Sequence, residues 1–452
     1  MLVVGSGGRE HALARRLAEA GEVYAFAAHR NPGLDAVTHG RLRVGDVCEG
    51  NEVARFAVES RVDLAVVSAD DPLAAGVVDA LRAAGIRTVG PDRSGAQIEW
   101  DKSAARRLVD EIAPELNPVH VVVRTADELD LALSAFGDRA LAVKPAGLSG
   151  GKGVKVMGCQ LEDREDARAY GLSLLDHGPE PRTVILEERI DAIEFTIQAL
   201  TDGRSCVFPP ATFDYPYRYD GDRGDGTGGM GCYTDGAGPL PFLSERSYRE
   251  ACDFIGEVVS RWGALGRSFS GVMNTAFFVT PAGLKLIEFN ARFGDPEAMN
   301  IMALLETSAW DLMDAIADRR LDEVSARFKD VASIVTYLVA PEYPTPGPKR
   351  DLEFEIAAVE AAGCWVNFAA CERIGEGRYR TTGSSRVLAM ATMAPSLAEA
   401  HARIEAAIAA GFTAAHDLEW RRDVGHPDYV AQQVDRVREL DARVGAGAAV
   451  VA

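Results

Sequence analysis

The sequence predicts a multidomain protein, α/β at its front and α+β behind, on three observations. Its 452 residues exceed one ordinary hydrophobic core and suffice for two to four domains. Its first residues, roughly 90–100 of them, alternate strand, glycine loop and helix, as an open α/β layer does. From Val331 the pattern turns strand-rich and closes on a helix, which reads as a smaller α+β domain.

Each element has its own signal. Leu2–Val4 reads as a strand and Gly5-Ser6-Gly7-Gly8 as a loop. Arg9 to Ala20 has helical periodicity and stops at Gly21. Leu64–Val67 is a strand, Leu73–Ala84 its helix, and Arg87–Val89 a strand before Gly90-Pro91. Residues from Lys102 to roughly Arg320 alternate strands, helices and glycine loops. Behind them, Ile334–Val339, Trp365–Ala370 and Arg386–Met390 read as strands and Leu397–Ala410 as a helix. Pro341 to Pro348 is too rich in proline for a regular element. Val444–Ala452, small and apolar, reads as a frayed tail. The expected domains are therefore 1–101, 102–325 and 326–435, with a tail at 436–452.

Composition excludes several classes. Hydrophobic residues at 47% and charged ones at 26% are globular values. A net charge of −20 argues against a nucleic-acid partner and for a solvated acidic surface. Seven cysteines without metal or redox spacing fit reduced cytosolic thiols. Met1 leads straight into a strand, with no signal peptide and no membrane span, so a cytoplasmic protein is expected. The eight histidines, His11 and His416 among them, show no metal or triad spacing and read as structural.

The richest stretch is Leu286–Met299, LIEFNARFGDPEAM. Glu288 and Asn290 sit two apart on an apolar strand, so both point to one face. An acid and an amide there supply oxygen ligands for a hard cation such as Mg²⁺, which bridges phosphates more often than it fills an all-protein cage. Arg292 adds a fork suited to a carboxylate or phosphate. Gly294, Asp295, Pro296 and Glu297 form a turn carrying two more acids. Together these residues suggest phosphoryl transfer beside a carboxylate substrate.

Four other segments support that reading. Gly5-Ser6-Gly7-Gly8-Arg9-Glu10 joins a strand to a helix, where amides can hold an anion. Glu10 stands where a dinucleotide fingerprint needs glycine, so NAD is excluded, and a tight turn and a small phosphate site both remain open. Lys144 to Val154 places Lys144 and Lys152 around a glycine-rich reversal between strands, a flap over phosphates instead of a P-loop. The chain has only seven lysines, so Lys102, Lys144 and Lys152 stand out as point charges. Val184–Ile190 is a buried strand ending in acids, with Glu194 a few residues on. Gly226 to Gly231 carries four further glycines after Asp214, Tyr215, Asp220 and Asp222, which permits close backbone approach to a ligand.

These segments occur together, in this order, in one family. The chain resembles the phosphoribosylamine–glycine ligases, ATP-grasp enzymes of purine synthesis. The resemblance rests on GSGGREHA at 5–12, KPAGLSGGKGV at 144–154, EERIDAIEFT at 187–196, TGGMG at 227–231, EFNARFGDPEAM at 288–299 and RRDVG at 421–425. It implies a central ATP-grasp module with a mobile lid over about residues 120–195, and ATP with Mg²⁺ (or Mn²⁺). Lys102, Lys144 and Lys152 then match the ATP-phosphate lysines. Glu187, Glu188 and Ile190 match the adenine hinge, and Glu194 the ribose acid. Glu288 and Asn290 match the metal ligands. Arg292, Asp214 and Lys152 match the catalytic groups. Gly7, Gly8, Arg9, Asp214, Arg292, Gly294, Asp295 and Arg386 match the substrate contacts. The partners implied are small molecules (an amino acid, a phosphorylated amine and ATP), on a monomer or homodimer.

The implied chemistry is physically sound. A carboxylate is a poor acyl donor, so ATP converts it to an acyl phosphate, which an amine attacks. A lid closed over Lys152 would exclude water. Four loops depart from the family pattern: Ser68-Ala69-Asp70-Asp71-Pro72-Leu73, Phe213-Asp214-Tyr215-Pro216-Tyr217, Gly226, and Ser384-Ser385-Arg386. The second loses a basic pair, with Arg218 next door. The departures leave open drift around the same amine, a ligase for a different amine, and a nucleotide-binding relative without catalysis.

Overall fold

The computed structural model describes residues 1–147, 153–176, 183–345, 351–356, 363–412 and 417–449. Lys152, His416 and part of the proline-rich loop lie outside the described residues.

The first layer is a parallel five-stranded sheet. Its order is Leu42–Val44, Tyr24–Ala27, Leu2–Val4, Leu64–Val67, Arg87–Val89. Leu2–Val4 and Leu64–Val67 are wholly buried, as central parallel strands require. The first helix spans Gly8–Leu17, shorter than its periodicity suggests. The helix expected over 73–84 is two helices, Asp70–Ala75 and Val77–Ala83. Gly76 divides them at φ +84°, a left-handed conformation that ends the first helix before the second begins.

Next comes a small antiparallel sheet, His120–Val123, Val184–Glu188, Leu141–Pro145 and Lys155–Val156, in that order. Helices Ala126–Phe136 and Arg164–Leu175 accompany it. Val123, Leu129, Phe136, Val143 and Leu186 form a core of their own, separate from the main one. The central sheet runs Cys206–Val207, Ile193–Thr201, Gly271–Thr280, Gly283–Asn290, all antiparallel. Phe254 of helix Glu245–Ala264 meets Phe277 and Phe289 on its face.

The last sheet crosses the boundary expected at 325/326. Its order is Phe213–Asp214, Gly231–Thr234, Ala332–Leu338, Leu388–Ala394, Cys364–Phe368. Two strands from the middle of the chain thus complete a sheet begun by its last third. The strand expected at 386–390 begins at Leu388, because Arg386 leaves the sheet to bond elsewhere. Helix Leu397–Gly411 follows. The tail expected from 436, frayed from 444, is a correction: helix Pro427–Ala449 runs through it. Its alanines are strong helix formers, and the helix packs against the Ile193–Thr201 and Gly271–Thr280 strands.

Candidate active site

One cleft of about 780 Å³ opens between these layers. Lys102, Lys144, Glu187, Glu188, Ile190, Glu194, Asp214, Glu288, Asn290, Arg292, Asp295, Arg9 and Arg386 all line it, although they come from sequence positions 9 to 386. Gly7, Gly8 and Gly294 lie outside its lining.

Glu187 anchors the upper wall. It is 3% exposed, and its carboxylate receives Lys144 Nζ at 2.6 Å and Arg106 Nη2 at 2.7 Å. Burial opposes its ionisation, but Arg106 and then Lys144 outweigh that and hold it down at about 2. Its backbone lies inside the ladder, opposite His120 on one side and Ala142 on the other. Glu188 accepts from Val119 N–H at 2.9 Å. Glu187 thus orients Lys144, and Glu188 closes a strand end, both in the lining of the cleft. Ile190, past the last ladder pair, lines the cleft with Ala192 and Ile193.

Lys102 begins helix Lys102–Ile112, which Asp101 caps by accepting from Ala104 N–H. Its Nζ stands 3.9 Å from Glu288 and 3.4 Å from the Gly147 carbonyl. Arg106 lies one helical turn on, so Lys102 and Arg106 share a helix face. That spacing was legible in the sequence and was missed.

Glu288 and Asn290 sit on the Gly283–Asn290 strand opposite Ala276 and Asn274. Asn290 Oδ1 accepts from Arg292 at 3.2 Å. Arg292 also donates to the Phe293 carbonyl at 3.1 Å, which Arg9 meets from the other side at 3.0 Å. Two guanidinium groups thus converge on one oxygen. Asp70 lies beside them: burial works against its charge, yet Arg292 and Arg9 hold it below the ordinary carboxylate range. Glu99, unmarked in the sequence, faces Arg292 Nε at 3.5 Å, and burial pushes it up to about 7 against the pull of Arg292.

The floor is acidic. Burial, then Asp222, Glu288 and Glu297, push Glu194 up to about 8. Burial, then Glu297 and Glu194, raise Asp214 well above its ordinary value. Asp214 Oδ1 and Asn274 Oδ1 are buried without a hydrogen-bond partner. Among the described residues no three His, Cys, Asp or Glu side chains form a metal cage. Two strand-borne oxygen ligands beside an excess of carboxylate and unpaired oxygens do fit a hard cation that shares its remaining positions with phosphate.

The first loop forms the tight turn between strand and helix. Glu10 turns back and accepts from Gly7 N–H at 2.6 Å, Arg9 Nε at 2.6 Å and Ser68 Oγ at 2.7 Å. The helix N-terminus thus already faces a carboxylate. A Cβ on Gly8 would meet Met299 and Tyr337 within 3 Å, so Gly8 serves a close approach. Gly294 N–H donates to Gln198 at 2.8 Å. His11 accepts from Phe368 N–H at 3.0 Å, and burial lowers it to about 3, a neutral structural histidine.

Arg386 is a clamp. Its Nη1 donates to the carbonyls of Gly228, Gly229 and Asp295, its Nη2 to Asp295 Oδ2 at 2.9 Å, and its plane covers Tyr337. Asp295 also accepts from the Tyr337 hydroxyl at 2.6 Å. Arg218, the nearest base to the altered loop, is 2% exposed and turned to the Tyr343 carbonyl and Glu419. It does not replace the lost basic pair.

Two family models match: Phosphoribosylglycinamide synthetase, N domain, over residues 1–99, and Phosphoribosylglycinamide synthetase, ATP-grasp (A) domain, over residues 101–298. A phosphoribosylamine–glycine ligase of Methanobrevibacter smithii is 38% identical over 97% of this chain and 99% of its own length. The crystal structure of a phosphoribosylamine–glycine ligase from Thermotoga maritima superposes with a TM-score of 0.75 at 21% identity, covering 93% of this chain and 99% of that one. The biotin carboxylase domain of the Hydrogenobacter thermophilus 2-oxoglutarate carboxylase, solved with MgADP and bicarbonate, gives a TM-score of 0.70 at 14% identity over 98% of this chain and 94% of its own. These last two speak to the fold.

Proposed function

The chain belongs to the phosphoribosylamine–glycine ligase family of ATP-grasp enzymes, and from that premise we propose which of its residues carry the reaction. The reaction joins the carboxylate of glycine to the amine of 5-phosphoribosylamine at the expense of ATP. It passes through an acyl phosphate to glycinamide ribonucleotide, ADP and phosphate. The observation that carries the assignment is the convergence of Lys102, Lys144, Glu288, Asn290 and Arg292 on one cleft.

Lys102 and Lys144 bind the triphosphate, and Glu187 fixes Lys144 for it. Ile190 and its backbone meet the adenine edge, and Glu194 accepts from the ribose. Glu288 and Asn290 hold Mg²⁺ (Mn²⁺ would fit the same oxygens), which when bound offsets repulsion between triphosphate and carboxylate. Arg292 orients the glycine carboxylate toward the γ-phosphate. Asp214, with its unpaired oxygen, takes the proton that the amine releases on attack. Arg9, with Gly7 and Gly8 behind it, faces the phosphate of the amine substrate. Arg386 holds Asp295 and the Gly228-Gly229 loop in register around it. No described helix is long and apolar enough to cross a membrane. With the cysteine usage, that supports a cytoplasmic enzyme acting on small molecules, as a monomer or homodimer without nucleic acid.

The test is ADP release with ATP, Mg²⁺ and glycine, with phosphoribosylamine generated in situ. Release that requires both glycine and the amine is the expected result. Release only with another amine would reassign the acceptor half of the cleft.

A further inference from the structure

The C-terminal helix, Pro427–Ala449, reaches the cleft. It places Tyr429 and Gln433, one turn apart, in the wall that also holds Glu194 and Asp222. Three contacts seat it. Arg436 pairs with Asp191 at 2.5 Å, directly after Ile190. The Tyr429 hydroxyl donates to Asp222. The Tyr233 hydroxyl donates to Gln433 Oε1 at 2.6 Å.

That third bond decides what the amide has left to offer. With Oε1 held by Tyr233, Nε2 is the remaining polar atom of a side chain that lines the cleft. Gln433 is 4% exposed, and its Nε2 has no hydrogen-bond partner. Buried donors are nearly always paired, so one left unpaired behind a cleft wall points to a bound group. The surroundings narrow the chemistry. Asp222 repels an anion at this wall and the buried Glu194 is hard to ionise, whereas Lys102 and Lys144 attract an anion at the other end of the cleft. Beside the acids the fitting group is therefore neutral, offers O–H to a carboxylate and accepts from an amide N–H. A sugar hydroxyl pair does both.

We propose that Gln433 is a nucleotide-binding residue, its Nε2 donating to a ribose hydroxyl of ATP while Glu194 accepts from the same diol. The C-terminal helix thereby reads the sugar of the nucleotide. This rests on the reading that ATP lies in this cleft with its ribose at Glu194.

Calorimetric titration of the full chain with ATP, 2′-deoxyATP and 3′-deoxyATP tests it. Wild type is expected to favour ATP over one deoxy analogue by about tenfold, the scale of one hydrogen bond. Gln433→Ala and Gln433→Glu should weaken ATP to the level of that analogue, leave the analogue's own affinity unchanged and leave the KM for glycine unchanged. Gln433→Glu keeps the acceptor for Tyr233, so it separates the donor from packing. If both variants fail to fold, Tyr233→Phe carries the test, with partial loss of the discrimination expected. Unchanged discrimination in folded variants overturns the role of Gln433. A wild type that binds none of the three nucleotides overturns the placement of ATP instead.

Discussion

The two ends of the cleft solve the problem of buried charge in opposite ways. At the phosphate end, one carboxylate, Glu187, meets two cations, Arg106 and Lys144, and is ionised far more readily than usual. At the floor, Glu194 and Asp214 lie near Glu297 and are harder to ionise than usual. The first end is a finished structure whose surplus positive charge faces an incoming anion. The second is unfinished electrostatically and becomes favourable when a cation or hydroxyl ligand arrives. Pre-positioned positive charge and stored negative charge are both electrostatic preorganisation.

Mutations at each end should separate these roles. The largest effect is expected from Glu187→Ala, which leaves two buried cations without their anion. Loss of about 3–5 kcal/mol of stability is expected, read as a fall in the denaturant midpoint. A midpoint within error of wild type would show that the triad contributes little. Glu288→Ala should leave folding intact and lower kcat at least about 100-fold, since second-shell changes at metal sites already cost 10–100-fold. Near-normal turnover at saturating Mg²⁺ would remove Glu288 from the metal site. Arg292→Ala should raise the KM for glycine by about 10–100-fold, the value of a charge-assisted hydrogen bond, with a smaller change for ATP. Equal changes for both substrates would take Arg292 away from the carboxylate.

The acid response tests the same triad along the pH axis. Glu187 stands at about 2 when folded, against an ordinary glutamate value of 4.5. Its stabilisation is therefore complete above 4.5 and is lost as pH falls toward 2. Glu187→Gln should flatten the stability curve in that window and leave its slope near neutrality alone. An unchanged slope between pH 4.5 and 2 would place the acid sensitivity elsewhere.

Much of this was legible in the residues. Glu288 and Asn290 share a strand face because side chains alternate, and the strand forms as Gly283–Asn290. The lysines announced themselves by scarcity. What escaped was non-local. Tyr24–Ala27 and Leu42–Val44 are short strands whose pairing, not their composition, defines them. Glu99 carries no motif, and only the fold brings it to Arg292. Acids at a strand end are usually solvated, but Glu187 is buried against Arg106, which lies far away in sequence. The C-terminal helix carries no such signal: small apolar residues at its end suggest fraying, although alanine is the strongest helix former.

The sheet that joins Gly231–Thr234 to Ala332–Leu338 has a consequence for biosynthesis. Gly231–Thr234 is wholly buried, and its partner emerges about a hundred residues later, on the order of 5–20 s at ordinary translation speeds. During that interval an apolar edge of the nascent chain waits unpaired. A chain that stops at residue 325 would carry that open edge permanently. Ribosome-bound chains in which residue 338 has or has not left the exit tunnel should therefore differ sharply in protease resistance, and the active centre is complete only once the C-terminal helix has followed.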